Sequence, residues 1–386
     1  MKKLAIIGSG RMAWIYGVKA KEMGIETHAF SFDENCKVKD AVTEYHLVNI
    51  LEMDKVLEVC RNIGIDGVVP TTELTFHVAA YIAEKMGLNG MPFEVAKVVT
   101  DKYRNRMVCK DVPELYQPGF ARINTFEELD SLDFSFPIIL KPASRGGKLG
   151  VSVVNNEEDL LPAFELARTH SGNSPIIVEE YISGGQEYSV ESLSFHGEHT
   201  VVQVTEKISS GPPHCVELGH HQPAALSREM MDKVERVIKK TLPALGIDNS
   251  PCHIEIKIVE ERIYLIECNA RPGGDYISWV LTELSTGYPY IRGVIDIALN
   301  RLGPIDTTAL LNRYAGVYFV TAQSAYLKPL FDRCEEFPWL YRKNAVSDDL
   351  QTLIHNDCDS INSMIYYSET EKPDIERSLK LLSEEK

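Results

Sequence analysis

Two β-rich runs in the middle of the chain place the strongest limits on its fold. HIEIKIV occupies residues 253–259 and IYLIECN residues 263–269, so three residues separate them. This spacing predicts an antiparallel hairpin with a three-residue loop. Side chains alternate between the faces of a strand, so Glu267 and Asn269 share one face while Cys268 lies on the other. Two polar side chains therefore leave an apolar strand together.

The register of this hairpin places two carboxylates opposite each other. A loop symmetric about Glu261 predicts the cross-strand pairs Val259–Ile263, Lys257–Leu265 and Glu255–Glu267. Facing carboxylates repel unless one is protonated or a cation lies between them. Oxygen ligands on a rigid sheet suit Mg²⁺, which completes its shell with water and substrate phosphates. We therefore predict Glu255, Glu267 and Asn269 as ligands of Mg²⁺, with Mn²⁺ a possible substitute; a polar strand end at the surface is the alternative.

The first hundred residues alternate between strand and helix patterns. LAIIGSG, THAFSFD and DGVVPT are typical of strands, and RMAWIYGVKAKEMG and VLEVCRNIG of helices. This order predicts a Rossmann-like parallel sheet. Gly8-x-Gly10-x-x-Ala13, with Asp33 further on, also matches a dinucleotide fingerprint. Because any tight strand-to-helix turn favours such small residues, we interpret the motif as structural and keep an NAD-dependent oxidoreductase as the least favoured function.

A glycine-bearing loop, SRGGKLG, follows an apolar strand that ends near Lys141. Backbone N–H groups of residues 144–150 can fold over phosphates, because glycine permits positive φ and close approach. It is not a Walker loop, since Lys148 precedes Leu149 rather than Ser or Thr, and an ordinary hairpin turn is the alternative. The next strand ends at residues 179–182, where backbone groups can meet an adenine edge. Glu187 can accept hydrogen bonds from ribose, although a plain surface charge is the simpler interpretation of that carboxylate taken alone.

Three further segments complete the expected organisation. A helix over 227–247 carries a core stripe of Val234, Val237, Ile238, Leu242 and Leu245. Another helix should start near Gly274 or Asp275, with its free N–H groups facing the metal site. Residues beyond 305 suggest a small β-rich domain that closes with a helix at about 373–384.

Composition excludes several classes of protein. The formal net charge of −16 argues against nucleic-acid or anionic-membrane partners. Apolar runs stay well short of the roughly 20 residues of a membrane span, and the N-terminus lacks a signal-peptide cleavage pattern, so we expect a cytoplasmic protein. The 8 cysteines form no C-x-x-C pair, which predicts free thiols and neither a disulfide framework nor a zinc site.

The order of these segments resembles that of the ATP-grasp superfamily over nearly the whole chain. The resemblance rests on Asp101-Lys102, Lys141 with its SRGGKLG loop, Glu179-Glu180-Tyr181-Ile182, Glu187, Glu255, Glu267-x-Asn269 and Arg271. It implies an α/β chain with a Rossmann-like domain at 1–100 and an ATP-grasp domain of α+β character at 101–305. A mobile lid at about 110–180 and a C-terminal domain at 306–386 are also implied.

Within that superfamily, TEKISSGPPHCVELGHHQPAAL at 205–226 and the NARPGG motif resemble L-amino-acid ligases. Such enzymes join a carboxylate to an amine through an acyl phosphate and release ADP and phosphate. The resemblance places His214 and Glu217 on the substrate side of the pocket, although His214 could instead be a hydrogen-bonded loop residue. Other ATP-grasp chemistry, such as carboxylation or phosphoribosyl-substrate ligation, is the alternative; it would ask for an extra basic cluster, which the sequence does not show. Carbamoyl-phosphate synthases are related, but this chain lacks their duplicated halves.

The resemblance also implies a role for each site residue. ATP would be held by Lys102, Lys141, Ser144, Gly146, Gly147, Gly150, Glu179, Glu180, Tyr181, Ile182 and Glu187. Lys141 and Arg271 would be catalytic, and Arg271, Gly273 and Gly274 would steady the substrate carboxylate near the Mg²⁺. The expected partners are a small carboxylate, an amine and a second copy of the chain in a homodimer.

Overall fold

The computed structural model describes residues 1–384, and its first part is a parallel four-stranded sheet. Its strands are β1 (Lys3–Ile7), β2 (Glu26–Ser31), β3 (Glu44–Leu47) and β4 (Gly67–Pro70), in the order β3-β2-β1-β4. Its helices are α1 (Arg11–Glu22), α2 (Met53–Ile63) and α3 (Glu73–Met86). The predicted parallel sheet is confirmed. The short, polar edge strand β3 was not predicted, because its four residues carry no apolar run.

The first glycine of the Gly8-x-Gly10-x-x-Ala13 motif is required by packing. Gly8 has a φ of +125°, and a Cβ there would overlap the hydroxyl of Thr71. That hydroxyl donates to the Ile7 carbonyl at 2.9 Å, which joins β1 to the end of β4. Gly10 has open space around it. This geometry supports the structural interpretation of the motif.

A second, antiparallel sheet of four strands follows. After α4 (Phe93–Val99) and α5 (Lys102–Val108), the chain forms β5 (Leu115–Tyr116), β6 (Phe120–Ile123), β7 (Ile138–Pro142), β8 (Ser152–Val154), α6 (Leu160–Ser171) and β9 (Ile176–Glu180). The order in this sheet is β6-β9-β7-β8, and α6 packs its buried alanines on it.

The remaining strands form one nine-stranded sheet in the order β16-β17-β15-β12-β11-β10-β13-β14-β5. The elements are β10 (Gln186–Phe195), β11 (Glu198–Ser209), β12 (Glu217–Gln222), α7 (Arg228–Ala244), β13 (Ser250–Val259), β14 (Arg262–Asn269), α8 (Thr282–Thr286), α9 (Tyr290–Ala298), β15 (Tyr314–Val320), α10 (Lys328–Asp332), β16 (Leu340–Asn344), β17 (Asn362–Ser368) and α11 (Ile375–Glu384). The strands after residue 305 thus continue the central sheet. The domain boundaries stay predictions, and the last two residues of the range 306–386 lie outside the described residues.

The amphipathic helix is confirmed as α7. Its predicted stripe, from Val234 to Leu245, is buried against the central sheet with apolar residues of β10, β13 and β14. This core holds the rear of the strands whose front carries the predicted metal ligands.

The hairpin of β13 and β14 has the predicted carboxylate pair but a different turn. Glu260 and Glu261 both have positive φ, +47° and +64°, so the loop has two residues and β14 begins at Arg262. The predicted pairs Val259–Ile263 and Lys257–Leu265 are therefore wrong, and the observed pairs are Val259–Arg262 and Lys257–Tyr264. A bulge between Leu265 and Glu267 inserts one extra residue, which restores the predicted pair Glu255–Glu267.

The helix after Arg271 begins later than predicted. Asp275 and Tyr276 have φ of +49° and +70°, so neither residue can start a right-handed helix. A π-helical turn at Ile277–Leu281 leads directly into α8. The predicted start near Gly274 or Asp275 is wrong by two or three residues.

All eight cysteines are free and buried, as predicted from their spacing. Within residues 1–384, the helices are too short or too polar to cross a membrane.

Candidate active site

Two cavities lie where the antiparallel four-stranded sheet, the central sheet and the glycine-bearing loop meet. Cavity A brings together most of the predicted nucleotide residues, namely Lys102, Lys141, Glu179, Glu180, Tyr181, Ile182 and Glu187. Cavity B contains the predicted metal ligands Glu255, Glu267 and Asn269 together with Gly146, Gly147, Glu217, Arg271 and Gly274. Lys148, Glu255 and Glu267 line both cavities. The predicted metal carboxylates therefore lie at the junction of the two spaces.

Four predicted residues lie outside the linings of cavities A and B. Ser144 donates to Ser174 at 3.0 Å, and His214 lies 3.3 Å from the Val151 carbonyl oxygen. The Gly150 Cα packs near Ala167, and the Gly273 N–H donates to Glu191 at 3.2 Å. The structure thus places these four residues around the cavities, with His214 in the hydrogen-bonded loop position that was the alternative for it.

Lys141 belongs to a buried ion triad with Glu179 and Arg106. The Glu179 carboxylate accepts from Arg106 Nε at 2.7 Å and lies 2.6 Å from Lys141 Nζ. Burial alone would raise the pKa of Glu179, but the charges of Arg106 and Lys141 lower it to about 2. Arg106 also donates to the carbonyls of Leu265 and Ile266, at the bulge of β14. The triad therefore links Lys141, which was predicted to bind phosphate, to the strand that carries Glu267.

Each carboxylate of the predicted metal site pairs with a lysine. Glu255 lies 2.6 Å from Lys207 Nζ, and Glu267 lies 2.7 Å from Lys102 Nζ. Burial acts to raise the pKa of Glu255, yet Lys207 and Lys148 bring it well below its usual range. Glu255 is thus ionised, and each of the two facing carboxylates has a cation from another element, Lys207 of β11 and Lys102 of α5.

The buried side chain of His253 lies between two carboxylates, those of Glu255 and Glu191. His253 Nδ1 lies 2.5 Å from Glu191, and its Nε2 lies 3.4 Å from Glu255. Glu191 also accepts from Ser278 at 2.8 Å. Burial would lower the pKa of His253, but the charge and hydrogen bond of Glu191 raise it to about 9. His253 is therefore a cation at neutral pH and orients Glu255.

Cavity B contains buried polar groups that are available to a ligand. Neither oxygen of Glu217 and neither ring nitrogen of His220 takes part in a hydrogen bond within residues 1–384. Lys207 is 3.0 Å and Lys148 is 3.4 Å from Glu217. Burial brings the pKa of His220 well below its usual range, and burial also raises that of Asp275. Glu217 is thus compensated by charge, whereas His220 lacks a partner within the described residues; a buried polar group without a partner is costly, so this lining favours a polar, hydrogen-bonding occupant.

Arg271 is anchored by the first residue of α3. Its Nε donates to Glu73 at 2.8 Å, and its terminal nitrogens contact Glu73 and the Pro272 carbonyl. Burial would raise the pKa of Glu73, but Arg271 lowers it. Helix α3 therefore holds the Arg271 guanidinium at the wall of cavity B through Glu73.

The glycine-bearing loop closes cavity B from the other side. Gly147 and Lys148 have φ of +66° and +59°, and the Gly147 carbonyl accepts from the Asn356 N–H at 3.1 Å. A Cβ on Gly146 would lie 2.6 Å from a Glu73 oxygen, so a larger residue there would have to displace that carboxylate. The loop thus contacts residues from both ends of the chain.

The predicted adenine segment is only partly free. Glu180 N–H donates to the Gly119 carbonyl at 2.9 Å, and Tyr181 N–H to the Pro137 carbonyl at 3.1 Å. The Ile182 carbonyl accepts from Lys257 Nζ at 2.8 Å, and that ammonium lies 5.3 Å from the Tyr181 ring centre. The predicted contacts of these backbone N–H groups with adenine would need those bonds to change.

Sequence reasoning missed several charged residues of cavity B. Lys148 was considered only as a departure from a Walker loop, and Lys207, His220 and His253 lay in segments that the sequence analysis used but were assigned no role of their own. The available signal was alternation, because Glu191, Lys207 and His253 each occupy an inward position on a strand that also carries other inward polar residues.

Comparison with known proteins agrees with this geometry. A model of the ATP-grasp domain family matches residues 134–279, the segment that supplies β7 to β14. The L-amino acid ligase of Bacillus licheniformis superposes with a TM-score of 0.79, at 22% identity over 100% of this chain and 98% of that one. The chain therefore has the ATP-grasp fold, and its residues 134–279 match the ATP-grasp domain family.

Two further relatives show how widely this fold is used. Formate-dependent phosphoribosylglycinamide formyltransferase of Methanocaldococcus jannaschii is 22% identical over 346 residues, 82% of this chain and 84% of the relative. N5-carboxyaminoimidazole synthetase of Staphylococcus aureus, solved with ADP, superposes with a TM-score of 0.74 at 16% identity, over 99% of this chain and 96% of that one. The segment that matches the ATP-grasp domain family supplies the lining residues of both cavities apart from Lys102, which precedes it, and Asn356, which follows it.

Proposed function

We propose that this protein is an ATP-dependent ligase that joins a carboxylate, an amino acid or related acid, to an amine. The observation that carries the proposal is that Glu255 and Glu267 line both cavities. A metal ion on these carboxylates would adjoin a nucleotide in cavity A and an acid in cavity B. The reaction would form an acyl phosphate and then an amide, with release of ADP and phosphate.

Cavity A suits a nucleotide because its lining contains several cations that can bind phosphate. Lys102 and Lys141 line this cavity, and Lys102 also donates to the Arg145 carbonyl at 2.6 Å. We propose that both lysines bind ATP phosphates, with Glu179 holding Lys141 in place. Glu187 and residues 179–182 would then border the adenosine.

The donor set of Glu255, Glu267 and Asn269 fits Mg²⁺. All three offer oxygen atoms from neighbouring strands, and such ligands suit this hard cation. When bound, the ion would neutralise charge on the transferred phosphoryl group. For these oxygens to be ligands, Lys207 and Lys102 have to release them and turn toward phosphate.

Cavity B offers the groups that an acid and an amine require. We propose that Arg271 binds the substrate carboxylate and then the oxyanion formed when the amine attacks, since a fixed cation stabilises developing negative charge. Glu217, whose oxygens accept no hydrogen bond within the described chain, would bind an ammonium group. Lys207 and Lys148, which lie beside Glu217, would then pair in part with phosphate.

An acyl phosphate hydrolyses in water, so the cavities have to close during turnover. We propose that the segment at about 110–180, which includes the antiparallel sheet and the glycine-bearing loop, acts as the lid. Cytoplasmic location and a homodimer are further proposals from the sequence.

Ligation of a phosphoribosyl substrate is the second candidate. The sequence suggested no extra basic cluster for a sugar phosphate, but cavity B gathers Lys148, Lys207 and Arg271. The relative from Methanocaldococcus jannaschii is a phosphoribosylglycinamide formyltransferase, a name that includes a phosphoribosyl substrate. This finding favours testing sugar-phosphate substrates beside amino acids.

The test is ADP formation from MgATP across a matrix of amino acids, amines and phosphoribosylamines, with mass spectrometry of the product. We expect ADP in proportion to a new amide that contains an amino acid. Amides formed only with phosphoribosylamines would support the second candidate, and ADP without any coupled product would contradict both.

A matched pair of variants links this activity to the proposed metal site. Glu267→Gln should lower ADP formation at least about 100-fold, because it removes an anionic ligand at the junction of the cavities. Glu261→Gln, on the exposed turn of the same hairpin, should retain wild-type turnover. Equal activity in the two variants would exclude Glu267 as a metal ligand.

A further inference from the structure

A cluster of metal-binding side chains lies far from these cavities in the chain, at the edge of the parallel sheet. His28 on β2 faces Glu44 in the register of β2 and β3, and His46 follows Glu44 by two positions. Alternation therefore places Glu44 and His46 on one face of β3, beside His28. Cysteine spacing predicted no zinc site, and this group uses no cysteine.

The ligand atoms of the cluster are already close together. His28 Nδ1 lies 3.0 Å from His46 Nε2 and 3.6 Å from Glu44 Oε2. One ligand atom from each of the three residues lies within 4.8 Å of the other two. Two imidazoles and a carboxylate are typical ligands of catalytic and surface zinc sites.

A second carboxylate orients His28 for this purpose. Glu26 Oε1 lies 3.0 Å from His28 Nε2 and 3.4 Å from Lys3 Nζ. With its proton on Nε2, the buried His28 ring presents the Nδ1 lone pair to His46 and Glu44. Carboxylate, histidine and metal in this order are a recurrent arrangement in zinc proteins, because the carboxylate sets the tautomer and raises the basicity of the ring.

We propose that His28, Glu44 and His46 bind a divalent transition-metal ion of the zinc class, with Glu26 as the hydrogen-bonded support of His28. Zinc–nitrogen distances of about 2.0–2.1 Å in a tetrahedron place neighbouring ligand atoms about 3.4 Å apart. The observed separations of 3.0 and 3.6 Å bracket that value. Nitrogen ligands distinguish this site from the all-oxygen magnesium site at the cavity junction.

Small movements suffice to complete the coordination shell. The Glu44 side chain is 61% exposed and can adjust, whereas His28 is only 3% exposed and is fixed. The His46 ring stacks on Phe30 at 4.7 Å between ring centres, which limits its movement. With the proton of His46 on Nε2, that nitrogen donates to His28 Nδ1 in the metal-free protein; to bind the ion, His46 adopts its other tautomer, with the proton on Nδ1 and the Nε2 lone pair toward the metal. Water from the open side supplies the fourth ligand.

Binding would fasten the edge of the sheet. β3 has four residues, pairs with β2 and lies at the opposite edge of the sheet from β4. β4 leads to α3, whose Glu73 holds Arg271. The ion would therefore tie a short edge strand to its neighbour, and ligase activity should not depend on it.

The experiment uses full-length protein stripped of metal and then titrated with Co²⁺ and Zn²⁺ in excess Mg²⁺. We expect one Co²⁺ per chain with visible absorption of a low-symmetry nitrogen and oxygen site, and its displacement by Zn²⁺. His46→Ala should weaken Zn²⁺ binding at least 100-fold, measured by competition with a chromogenic chelator. Glu26→Gln should weaken it about 10- to 100-fold. His196→Asn, at an exposed histidine elsewhere, should bind as the wild type does.

Two variants separate this site from the proposed magnesium site. Glu267→Gln should retain the Co²⁺ spectrum, and His46→Ala should retain wild-type ATP turnover. If His46→Ala does not fold, the exposed Glu44→Gln serves in its place. No Co²⁺ spectrum in the wild type, equal Zn²⁺ affinity in the wild type and in His46→Ala or Glu44→Gln, or loss of the spectrum only in Glu267→Gln would overturn the proposal.

Discussion

Replacing Glu179 with Gln should destabilise the protein far more than the same change at the neighbouring residue Glu180. Glu179 is 2% exposed and lies between Arg106 and Lys141. Glutamine keeps the shape and one hydrogen-bond acceptor but removes the only negative charge of the triad. Two buried cations would then face each other without compensation.

Two independent routes give the size of this effect. Removing one partner of a buried ion pair typically costs about 3–5 kcal/mol. The pKa of Glu179 falls from an ordinary 4.5 to about 2, and at about 1.4 kcal/mol per pH unit this corresponds to about 3 kcal/mol. We therefore expect the free energy of unfolding to fall by about 3 kcal/mol in Glu179→Gln. Because the pKa is lowered in the folded state, the difference from wild type should be full above pH 4.5 and vanish as the pH falls toward 2.

The assay is urea unfolding of wild type, Glu179→Gln and Glu180→Gln, followed by circular dichroism at several pH values. Glu180 is exposed, and its carboxylate accepts from the Gly119 N–H at 2.7 Å, a bond that glutamine can also accept. Its substitution should change stability by less than about 0.5 kcal/mol. Equal urea midpoints for the two variants at pH 7 would refute the reasoning, as would a difference that does not shrink in acid.

Two further predictions concern a glycine turn and a buried histidine. Gly8→Ala should lower the free energy of unfolding by about 2–3 kcal/mol, because Gly8 has a φ of +125° and a Cβ there would overlap the Thr71 hydroxyl. Gly10→Ala should change the free energy of unfolding by less than about 0.5 kcal/mol. Thermal melts of both variants test this, and equal melting temperatures would contradict it. The pKa of His253 is raised to about 9, so the stability it contributes is full below about pH 6.5 and is lost as the pH rises through 9. Urea titrations should show that the free energy of unfolding of wild type exceeds that of His253→Gln by up to about 3 kcal/mol below pH 6.5 and that this difference disappears as the pH rises through 9. A difference that does not depend on pH would be evidence against a charged His253.

The hairpin shows what local pattern can and cannot predict. Alternation correctly placed Glu267 and Asn269 on the face opposite Cys268, because a period of two is a property of any strand. The turn was wrong, since two glutamates adopt positive φ, a conformation rare for that residue type. The bulge before Glu267 could not be foreseen either, because it depends on carbonyls held by Arg106 from another helix. The two errors offset each other, so the pair Glu255–Glu267 was predicted correctly by an incorrect register.

The charged residues in and behind the lining of cavity B were hidden for a different reason. Glu191, Lys207 and His253 each look like an inward polar residue on a separate strand, and alternation identifies that much. Their contacts follow from the order β11-β10-β13, which is not the order of the strands in the chain. Long-range pairing of this kind depends on how the whole sheet assembles, so a pattern within one strand cannot predict it.

The facing carboxylates need a cation, and the protein supplies one to each before any ligand is bound. Lys207 and Lys102 hold Glu255 and Glu267 at 2.6 and 2.7 Å, so the repulsion that predicted a metal is already compensated by side chains. A divalent ion entering between the carboxylates would release both ammonium groups next to the cavity that suits triphosphate. Each lysine would then pair with phosphate instead of with a carboxylate, so no ammonium group would be left without an anionic partner. Metal and nucleotide should therefore bind together more tightly than either alone, since each supplies the partner that the other displaces.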